Sequence, residues 1–330
     1  MDKINLIQKY INPIIIFVGL IFFMLTSCQN VLEEASFELT GLHKPTPVIS
    51  GFITPDSMVK IIMSGTLPAF SSDTAIYNYE QVTITDIKNN LIYNFYPSDS
   101  AQIWTHNNFT PEFGGLYKIQ AQLSGSNDLI EAIDSIPYPC SVQNLTVLPA
   151  EGVYNLAKLK ITPPTNTPKI SYYEILVFGK TYSSTFGNGD GQIYNLKTYN
   201  ELITSEDYYP NVNMTTPNYP KTLLFKTQPG QTPFYIDFVY MSPGGSGGGA
   251  IADYFLFEHT LRVEVRVVSQ AYFLYKTSYY KQINAINGDS FYGLPNPVSV
   301  FSNIKHGLGV FAGFSTVSTE FLVPERYAND

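Results

Sequence analysis

The sequence predicts an all-β protein made of two immunoglobulin- or fibronectin-like β-sandwich domains, the second elaborated with long loops and one helix. Three observations lead to this class. Short segments of alternating apolar and polar residues recur along the 330 residues, and clusters of Gly, Pro, Asn and Asp separate them. Charged residues make up 14% of the chain, and 25 Tyr residues supply part of its polarity instead. Helical spacing of apolar residues is convincing in one segment, over 271–286.

The N-terminal residues 1–27 have the order of a secretory signal peptide. Two lysines precede an apolar run over 14–25, and small residues follow it. This run has 12 residues, whereas a membrane-spanning helix needs about 20, so an uncleaved transmembrane helix is the weaker alternative. Leu25-Thr26-Ser27-Cys28 resembles the bacterial lipobox, which implies cleavage before Cys28 and a lipid thioether on its sulfur. The sequence therefore predicts a lipoprotein that is anchored to a membrane by acyl chains.

Residues 28–45 lack a clear periodicity, and we interpret them as a flexible tether between the lipid and the folded body. Glu33 and Glu34 in this stretch resemble the acidic surface-export patch of Bacteroidota lipoproteins. We therefore expect display on the outer face of the cell.

The predicted N-terminal domain, an immunoglobulin-like sandwich, spans 46–138. Gly115-Leu116-Tyr117 opens one of its strands and suits a tyrosine corner, in which a buried Tyr hydroxyl bonds to backbone a few residues upstream. Pro137-Tyr138-Pro139 ends the domain, because two prolines cannot both donate to a central sheet. Its predicted strands are 47–53, 58–64, 80–87, 91–96, 116–123 and 129–136.

The predicted C-terminal domain, an elaborated sandwich, spans 139–330. A Tyr-, Asn- and Pro-rich excursion over 180–220 and a glycine loop over 243–249 are expected at exposed ends of the domain. The helix over 271–286 ends at Asn287-Gly288, which suit a left-handed cap. Its predicted strands are 141–148, 156–162, 171–179, 221–227, 233–241 and 259–268.

Histidine and glycine patterns give no catalytic or metal site. The four histidines are scattered without the spacing of zinc ligands. Gly244-Gly245-Ser246-Gly247-Gly248 matches Gly-x-Ser-x-Gly, but a nucleophile elbow needs a strand before the serine and a helix after it. The segment 188–193 resembles the middle of a calcium loop but lacks the flanking acids of an EF-hand, which leaves a partial calcium site of another kind open. We predict no enzyme, no cofactor and no metal site.

The net charge and the cysteine content limit which partners and which disulfides are expected. The net charge is −8, and removal of residues 1–27 takes away two lysines and one aspartate, which makes it −9. Nucleic-acid phosphates are held by clustered Lys and Arg, so nucleic acid is not an expected partner. Cys140 is left without a disulfide partner once Cys28 carries lipid, and we expect it to be a small buried apolar residue.

Aromatic residues of the excursion are the best candidates for a ligand or partner surface. Most strand aromatics are explained by sandwich cores, but the excursion has no strand alternation that would bury its own. The candidates are Tyr194, Tyr199, Tyr208, Tyr209 and Tyr219.

Four short motifs resemble the O-glycosylation acceptor of Bacteroidota, which is Asp followed by Ser or Thr and then a small or aliphatic residue. Asp-Ser and Asp-Thr also form ordinary turns by bonding to their own backbone, and this alternative stays open. The candidate acceptors are Ser57, Thr74, Ser100 and Ser135. Ser135 is the doubtful one, because it lies in a predicted strand.

The segment 296–313, Asn-Pro-Val-Ser-Val-Phe-Ser-Asn-Ile-Lys-His-Gly-Leu-Gly-Val-Phe-Ala-Gly, resembles the C-terminal signature of a Bacteroidota lipoprotein family named domain of unknown function 4249. The opening strand Pro47–Pro55 is similar to that of the family as well. Asn296 and His306 depart from the acid and the Asn that the family has there. From the residues, we expect a final strand that packs with the helix, and Asn303 bonded to a loop.

This resemblance implies an outer-membrane lipoprotein that is often encoded beside TonB-dependent transporters. It therefore implies a non-enzymatic ligand-binding or accessory subunit that partners with such a β-barrel. The alternatives are a structural or adhesive surface lipoprotein and an accessory of an outer-membrane assembly machine. No catalytic residues follow from the resemblance.

Overall fold

Strands dominate the described part of the chain, as the alternating sequence pattern predicts. The computed structural model describes residues 46–67, 78–98, 100, 102–125, 128–165, 170–181, 189–193, 196, 198, 222–227, 233–246, 254–288 and 298–328. None of the described residues form a helix with the combined length and hydropathy that a membrane span requires.

The strands of the described residues are numbered in chain order, and the helix is α1. The first half of the chain contains β1 Pro47–Ile53, β2 Lys60–Gly65, β3 Tyr79–Asp86, β4 Leu91–Pro97, β5 Ile103–Thr105, β6 Leu116–Leu123, β7 Leu129–Ser135, β8 Ser141–Pro149 and β9 Tyr154–Thr162. The second half contains β10 Tyr172–Thr181, β11 Gly189–Gln192, β12 Thr222–Lys226, β13 Phe234–Met241, β14 Gly244–Ser246, β15 Tyr254–Leu256, β16 His259–Val268, α1 Gln270–Gly288, β17 Leu308–Val323 and β18 Arg326–Tyr327.

All twelve strands predicted from alternation are present, with ends that differ by at most two residues. The mostly-β class is thus confirmed. In β6, for example, Tyr117, Ile119 and Ala121 are buried while the residues between them are not, which is the period of two that a half-buried strand requires. The predicted helix is confirmed as α1 and is longer by one residue at its start and two at its end.

The large sheet joins both ends of the described chain. Its strand order is β11-β10-β16-β17-β1-β2-β5-β4-β3-β6-β7, and β12 also pairs with β10. β1 runs parallel to β17, with Val48 opposite Leu308 and Ile53 opposite Gly313. The other described pairings in this sheet are antiparallel. This one sheet therefore contains strands from both of the predicted domains.

Two smaller sheets complete the strand pairing. One has the order β13-β9-β8, and the other has the order β14-β15-β18. Gly244 pairs with Leu256 and Ser246 with Tyr254, so the prediction of a loop over 243–249 is wrong for Gly244–Ser246. Glycine carries no side chain that could show strand alternation, which explains why the pattern did not reveal this strand.

The excursion predicted over 180–220 also begins later than expected. Lys180 and Thr181 belong to β10, and β11 turns back to pair with it, so the segment that resembles a calcium loop contributes a strand. Leu196 is buried in a hydrophobic cluster, and Ile193 packs against the same cluster. These two positions are therefore core rather than exposed loop.

Two large hydrophobic clusters form the core. One contains residues from β1 through Ile136 together with Ile304 and Phe311, and the other runs from Cys140 to Val323. Cys140 is buried, as predicted, and burial raises the pKa of its thiol to about 12. Both clusters belong to one compact unit, which extends over Pro45–Asp330.

A third, smaller cluster places α1 on the large sheet. Tyr272 and Phe273 of the helix pack with Val310 and Ala312 of β17, which agrees with the expected contact between the helix and the C-terminal signature. Phe52 of β1 also joins this cluster, with its ring 5.1 Å from that of Tyr272. The helix thus packs over the seam where the first and last long strands meet.

Asn303 bonds to a strand rather than to a loop. Its Nδ2 donates to the Phe311 carbonyl at 2.7 Å, and its Oδ1 accepts from the Phe311 amide at 3.0 Å. β16 pairs with β17 only from Phe314 onward, so the side chain of Asn303 pairs these backbone groups as a neighbouring strand would. Gly309 has a φ of +108°, and a Cβ there would lie 2.0 Å from the Ile49 carbonyl oxygen, which accounts for one glycine of the signature.

Candidate functional site

The sequence-predicted site residues divide into two groups. Outside the described residues lie Cys28, Thr74, Tyr194, Tyr199, Tyr208, Tyr209 and Tyr219. Ser57, Ser100 and Ser135 are described and exposed, so even the doubtful candidate in β7 has an accessible side chain. The Asp56 carboxylate beside Ser57 accepts from the Thr316 amide at 3.1 Å, which ties that turn to β17.

Asp134, the residue before Ser135, connects three elements. Its Oδ2 accepts hydrogen bonds from the Ser269 hydroxyl and, at 2.9 Å, from the Gly313 amide. Ser269 is the N-cap of α1, because its Oγ accepts from the Tyr272 amide at 3.2 Å. β7, the start of α1 and β17 are therefore held together at one carboxylate.

Burial raises the pKa of Asp134 above its ordinary value, although these hydrogen bonds act in the opposite direction. The ion pairs of the described residues involve Glu131, Glu174 and Glu264, and Asp134 takes part in none of them. The negative charge at Asp134 is thus partly desolvated without a cation among the described residues.

A cleft of about 620 Å³ lies beside this junction. Asp134, Ser269 and Gln270 line it on the side of the helix start. Its volume is within the range of about 300–1,000 Å³ that is usual for ligand pockets.

The other walls of the cleft are rich in rings and aliphatic groups. Pro137 and Tyr138 form part of one wall, and Pro164, Ile170 and Tyr172 contribute to the rest. Tyr138 is 46% exposed and Ile170 is 39% exposed, which is a large exposure for apolar side chains at a concave surface.

Glycine at 114 makes room for the Tyr138 ring. A Cβ at Gly114 would lie 2.5 Å from the ring and hydroxyl of Tyr138, and Gly114 has a φ of +73°. The Gly114 amide also donates to the Ile136 carbonyl at 2.8 Å, which fixes the chain just before Pro137. This wall is positioned by backbone geometry rather than by side-chain contacts alone.

A buried polar network lies under α1, near the cleft. The Tyr272 hydroxyl donates to Glu174 Oε2 at 2.5 Å, and Arg266 Nη1 donates to the same oxygen at 3.1 Å. Burial and the Glu174 charge raise the pKa of Tyr272 well above its ordinary value. The Tyr172 ring, which lines the cleft, packs 4.7 Å from Phe273 of the same helix. We interpret this network as a support that fixes the helix.

A second buried network surrounds His259, at the opposite end of β16 from the cleft. Its Nδ1 lies 2.9 Å from the Phe257 carbonyl, so Nδ1 carries the proton and Nε2 accepts from the Tyr240 hydroxyl at 2.9 Å. Asn155 Nδ2 donates to Tyr240 Oη at 3.2 Å. Burial lowers the pKa of His259, which favours the neutral ring that this arrangement requires.

Sequence reasoning named residues of the cleft but assigned them other roles. The sequence predicts a possible glycosylation motif at Asp134 and Ser135 and a domain boundary at Pro137-Tyr138-Pro139. Ser269 and Ile170 gave no signal of their own, because only the fold brings them to the same place. Among the described residues, no group of three or more His, Cys, Asp or Glu side chains could hold a metal ion.

Comparison with known proteins gives a family and distant structural likenesses. A search of curated proteins finds no match. The full-length major pilin SpaD from Corynebacterium diphtheriae is similar at 11% identity, over 68% of this chain and 62% of the pilin, with a TM-score of 0.21. A likeness at this level carries no functional argument. The family model described as "Domain of unknown function (DUF4249)" matches residues 33–320, and the chain belongs to that family.

Proposed function

We propose that this protein is an outer-membrane surface lipoprotein that serves as a non-enzymatic ligand-binding or accessory subunit of a TonB-dependent transporter. The observation that carries the binding role is the cleft beside Asp134, with Tyr138 and Ile170 exposed at its walls. The lipobox-like segment that ends at Cys28 supports the anchor, and the family resemblance supports the transporter.

We also propose that the body consists of two immunoglobulin- or fibronectin-like sandwiches, with the boundary near 138 and 139. The two large hydrophobic clusters support this division, since the residues of one end at Ile136, apart from Ile304 and Phe311, and the residues of the other begin at Cys140. The Glu112 amide donates to the buried Tyr117 hydroxyl at 2.7 Å, which is the bond of a tyrosine corner. Limited proteolysis tests the proposal: cleavage near 138–139 should leave two folded fragments that stay associated through the pairing of β1 with β17, and resistance to cleavage there would contradict it.

The lipid anchor at Cys28 is tested by substitution. A Cys28→Ser variant should accumulate as unprocessed precursor and lose incorporation of labelled palmitate. Cys140→Ser is the matched control, because it removes the other cysteine, which is buried, and should label normally. Protease shaving of whole cells then tests the surface address, since a protein that faces the periplasm would be cut only after lysis.

The transporter partnership is tested by co-purification from native membranes in mild detergent. We expect a TonB-dependent β-barrel to be recovered in near-equal amount with the protein. Recovery of an assembly-machine component instead would support the accessory alternative. Recovery of neither β-barrel would contradict the partnership.

The second candidate is a structural or adhesive surface lipoprotein, and one surface favours it. On the outward face of the β13-β9-β8 sheet, Val239 lies opposite Leu156, which lies opposite Leu148. Leu148 is 59% exposed and Met241, at the end of β13, is 47% exposed. Val239 and Leu156 are half-buried, and an apolar row of this kind with exposed ends is a typical contact surface. Leu148→Ser together with Met241→Ser should abolish adhesion if this candidate is correct and leave transporter recovery unchanged.

O-glycosylation at Ser57, Thr74, Ser100 and Ser135 remains a proposal. The exposure of the three described hydroxyls supports it, since an acceptor must reach the transferase. Intact-mass measurement on protein from its native host is the test. A mass equal to that of the acylated polypeptide alone would contradict the proposal.

A further inference from the structure

The cleft beside Asp134 has an unusual balance of charge. Asp134 is the one Asp, Glu, Lys, Arg or His among the described residues that line it, and no described cation pairs with it. The remaining lining groups are rings, aliphatic side chains, hydroxyls and the Gln270 amide. The described lining of the cleft therefore disfavours an anionic ligand and lowers the free energy of a bound cation.

We propose that this cleft binds a small organic cation, a protonated amine or guanidinium carried on an apolar or aromatic body, with Asp134 as its counter-ion. The inference rests on the ligand-binding part of the proposed function and names the ligand class. It does not depend on the transporter, because the isolated chain should bind the ligand.

The walls of the cleft fit the apolar body of such a ligand. Tyr138, Tyr172, Pro137 and Pro164 present ring faces or edges, and Ile170 adds an exposed aliphatic group. Aromatic faces attract both cations and apolar groups, so the cationic group and the apolar body of the ligand each find a complementary surface. The volume of about 620 Å³ is large enough for a bicyclic amine.

A purely structural role of Asp134 is the competing explanation, because its Oδ2 already binds Ser269 and Gly313. A carboxylate that only positions these groups would not discriminate between ligands of different charge. The charge selectivity of binding therefore separates the two roles, and stability measurements alone do not.

The experiment uses three probes with the same indole ring and two-carbon chain: tryptamine, tryptophol and indole-3-propionate. Their affinities for the full chain in detergent are measured by isothermal titration at pH 7. We expect tryptamine to bind roughly tenfold more tightly than tryptophol, because its ammonium adds a charge–charge attraction to the hydrogen bond that both probes can donate to the carboxylate, and indole-3-propionate to bind most weakly. Equal affinities for the three probes would overturn the proposal.

Variants assign the selectivity to the cleft. Asp134→Asn keeps an oxygen acceptor for Ser269 and Gly313. In this variant tryptamine and tryptophol should bind with about equal affinity, so the tenfold preference is lost. Tyr138→Ala leaves the carboxylate untouched and should weaken all three probes while tryptamine still binds more tightly than tryptophol. Tyr235→Ala, at another half-exposed tyrosine, is the matched control and should change nothing.

Two further arms complete the test. If Asp134→Asn does not fold, the preference for tryptamine in the unaltered chain should still disappear on acidification, as Asp134 gains a proton, and selectivity that persists at low pH would refute the assignment. A further comparison asks whether the bound cation is a basic side chain of a partner protein or a free amine. It measures the binding of an acetylated pentapeptide with a central lysine against that of the same peptide with glutamine in its place. If no cation probe binds but the transporter is recovered by co-purification, the proposal of a cation-binding cleft is rejected and the proposed partnership with the transporter stands.

Discussion

Substitution of Asn303 tests how much the C-terminal signature contributes to stability. Its side chain bonds both backbone groups of Phe311, a residue that is fully buried and faces Gly51 of β1. Asn303→Ala removes both partners, and each unpaired backbone group costs about 1–3 kcal/mol when it is shielded from water. Because water can reach this partly buried site, we expect a total loss of about 2–4 kcal/mol in the free energy of unfolding.

The measurement is urea denaturation of the full chain, followed by tyrosine fluorescence and circular dichroism. Asn94→Ala is the matched control, because Asn94 is exposed and only accepts a 3.3 Å bond from Gln81. It should change the free energy of unfolding by less than about 0.5 kcal/mol. Equal effects of the two substitutions would refute the view that Asn303 acts as a substitute strand.

A second substitution at the same position should make the stability of the protein depend on pH. Asn303→Asp keeps the acceptor for the Phe311 amide but places a carboxylate oxygen against the Phe311 carbonyl. Protonation restores a donor, so the native state of this variant binds a proton more readily than the unfolded state. Its stability relative to the unaltered chain should therefore recover as the pH falls toward about 4, and a pH-independent loss would contradict the geometry.

Three further predictions concern other parts of the fold. Tyr117→Phe should cost about 1–2 kcal/mol in denaturation measurements, because the Glu112 amide loses its acceptor while the ring stays packed. The lowered pKa of His259 means that the unfolded state binds its proton first, so the free energy of unfolding should fall as the pH drops below about 6.5, and His259→Gln should flatten that slope. Gly313→Ala should lower the melting temperature by many degrees, because its Cβ would lie 2.3 Å from a backbone oxygen, whereas Gly191→Ala, with open space around it, should not.

Local alternation carries enough information for most strands of this fold. In β16 the apolar residues alternate with Arg262, Glu264 and Arg266, and the structure buries the former and leaves the latter at intermediate exposure. The same pattern cannot reveal very short strands. Ile103–Thr105 has three residues, too few to show a period, and Gly244–Ser246 has almost no side chains to alternate.

Two other features, the cleft and the pairing of β1 with β17, could not be predicted for a different reason. Both depend on residues distant in sequence, and neither partner carries a local signal of the other. Asp134 illustrates this: its sequence context, Asp-Ser-Ile, indicates a strand end or a modification motif, whereas its carboxylate contacts Ser269 and Gly313. The same holds for Gly309, whose close approach to the Ile49 backbone follows from the pairing of the two strands.

The parallel pairing of β1 with β17 has a consequence for the order in which the chain can finish folding. Val48 and Leu308 are paired although 260 positions separate them, so β1 is synthesised long before one of its two neighbours exists. Until then the strand keeps an open edge, which is a template for association with other chains. Contacts of such long range also form slowly. Nascent chains of this protein should therefore depend on holding factors until residue 313 has emerged, and chains truncated before Leu308 should aggregate rather than fold.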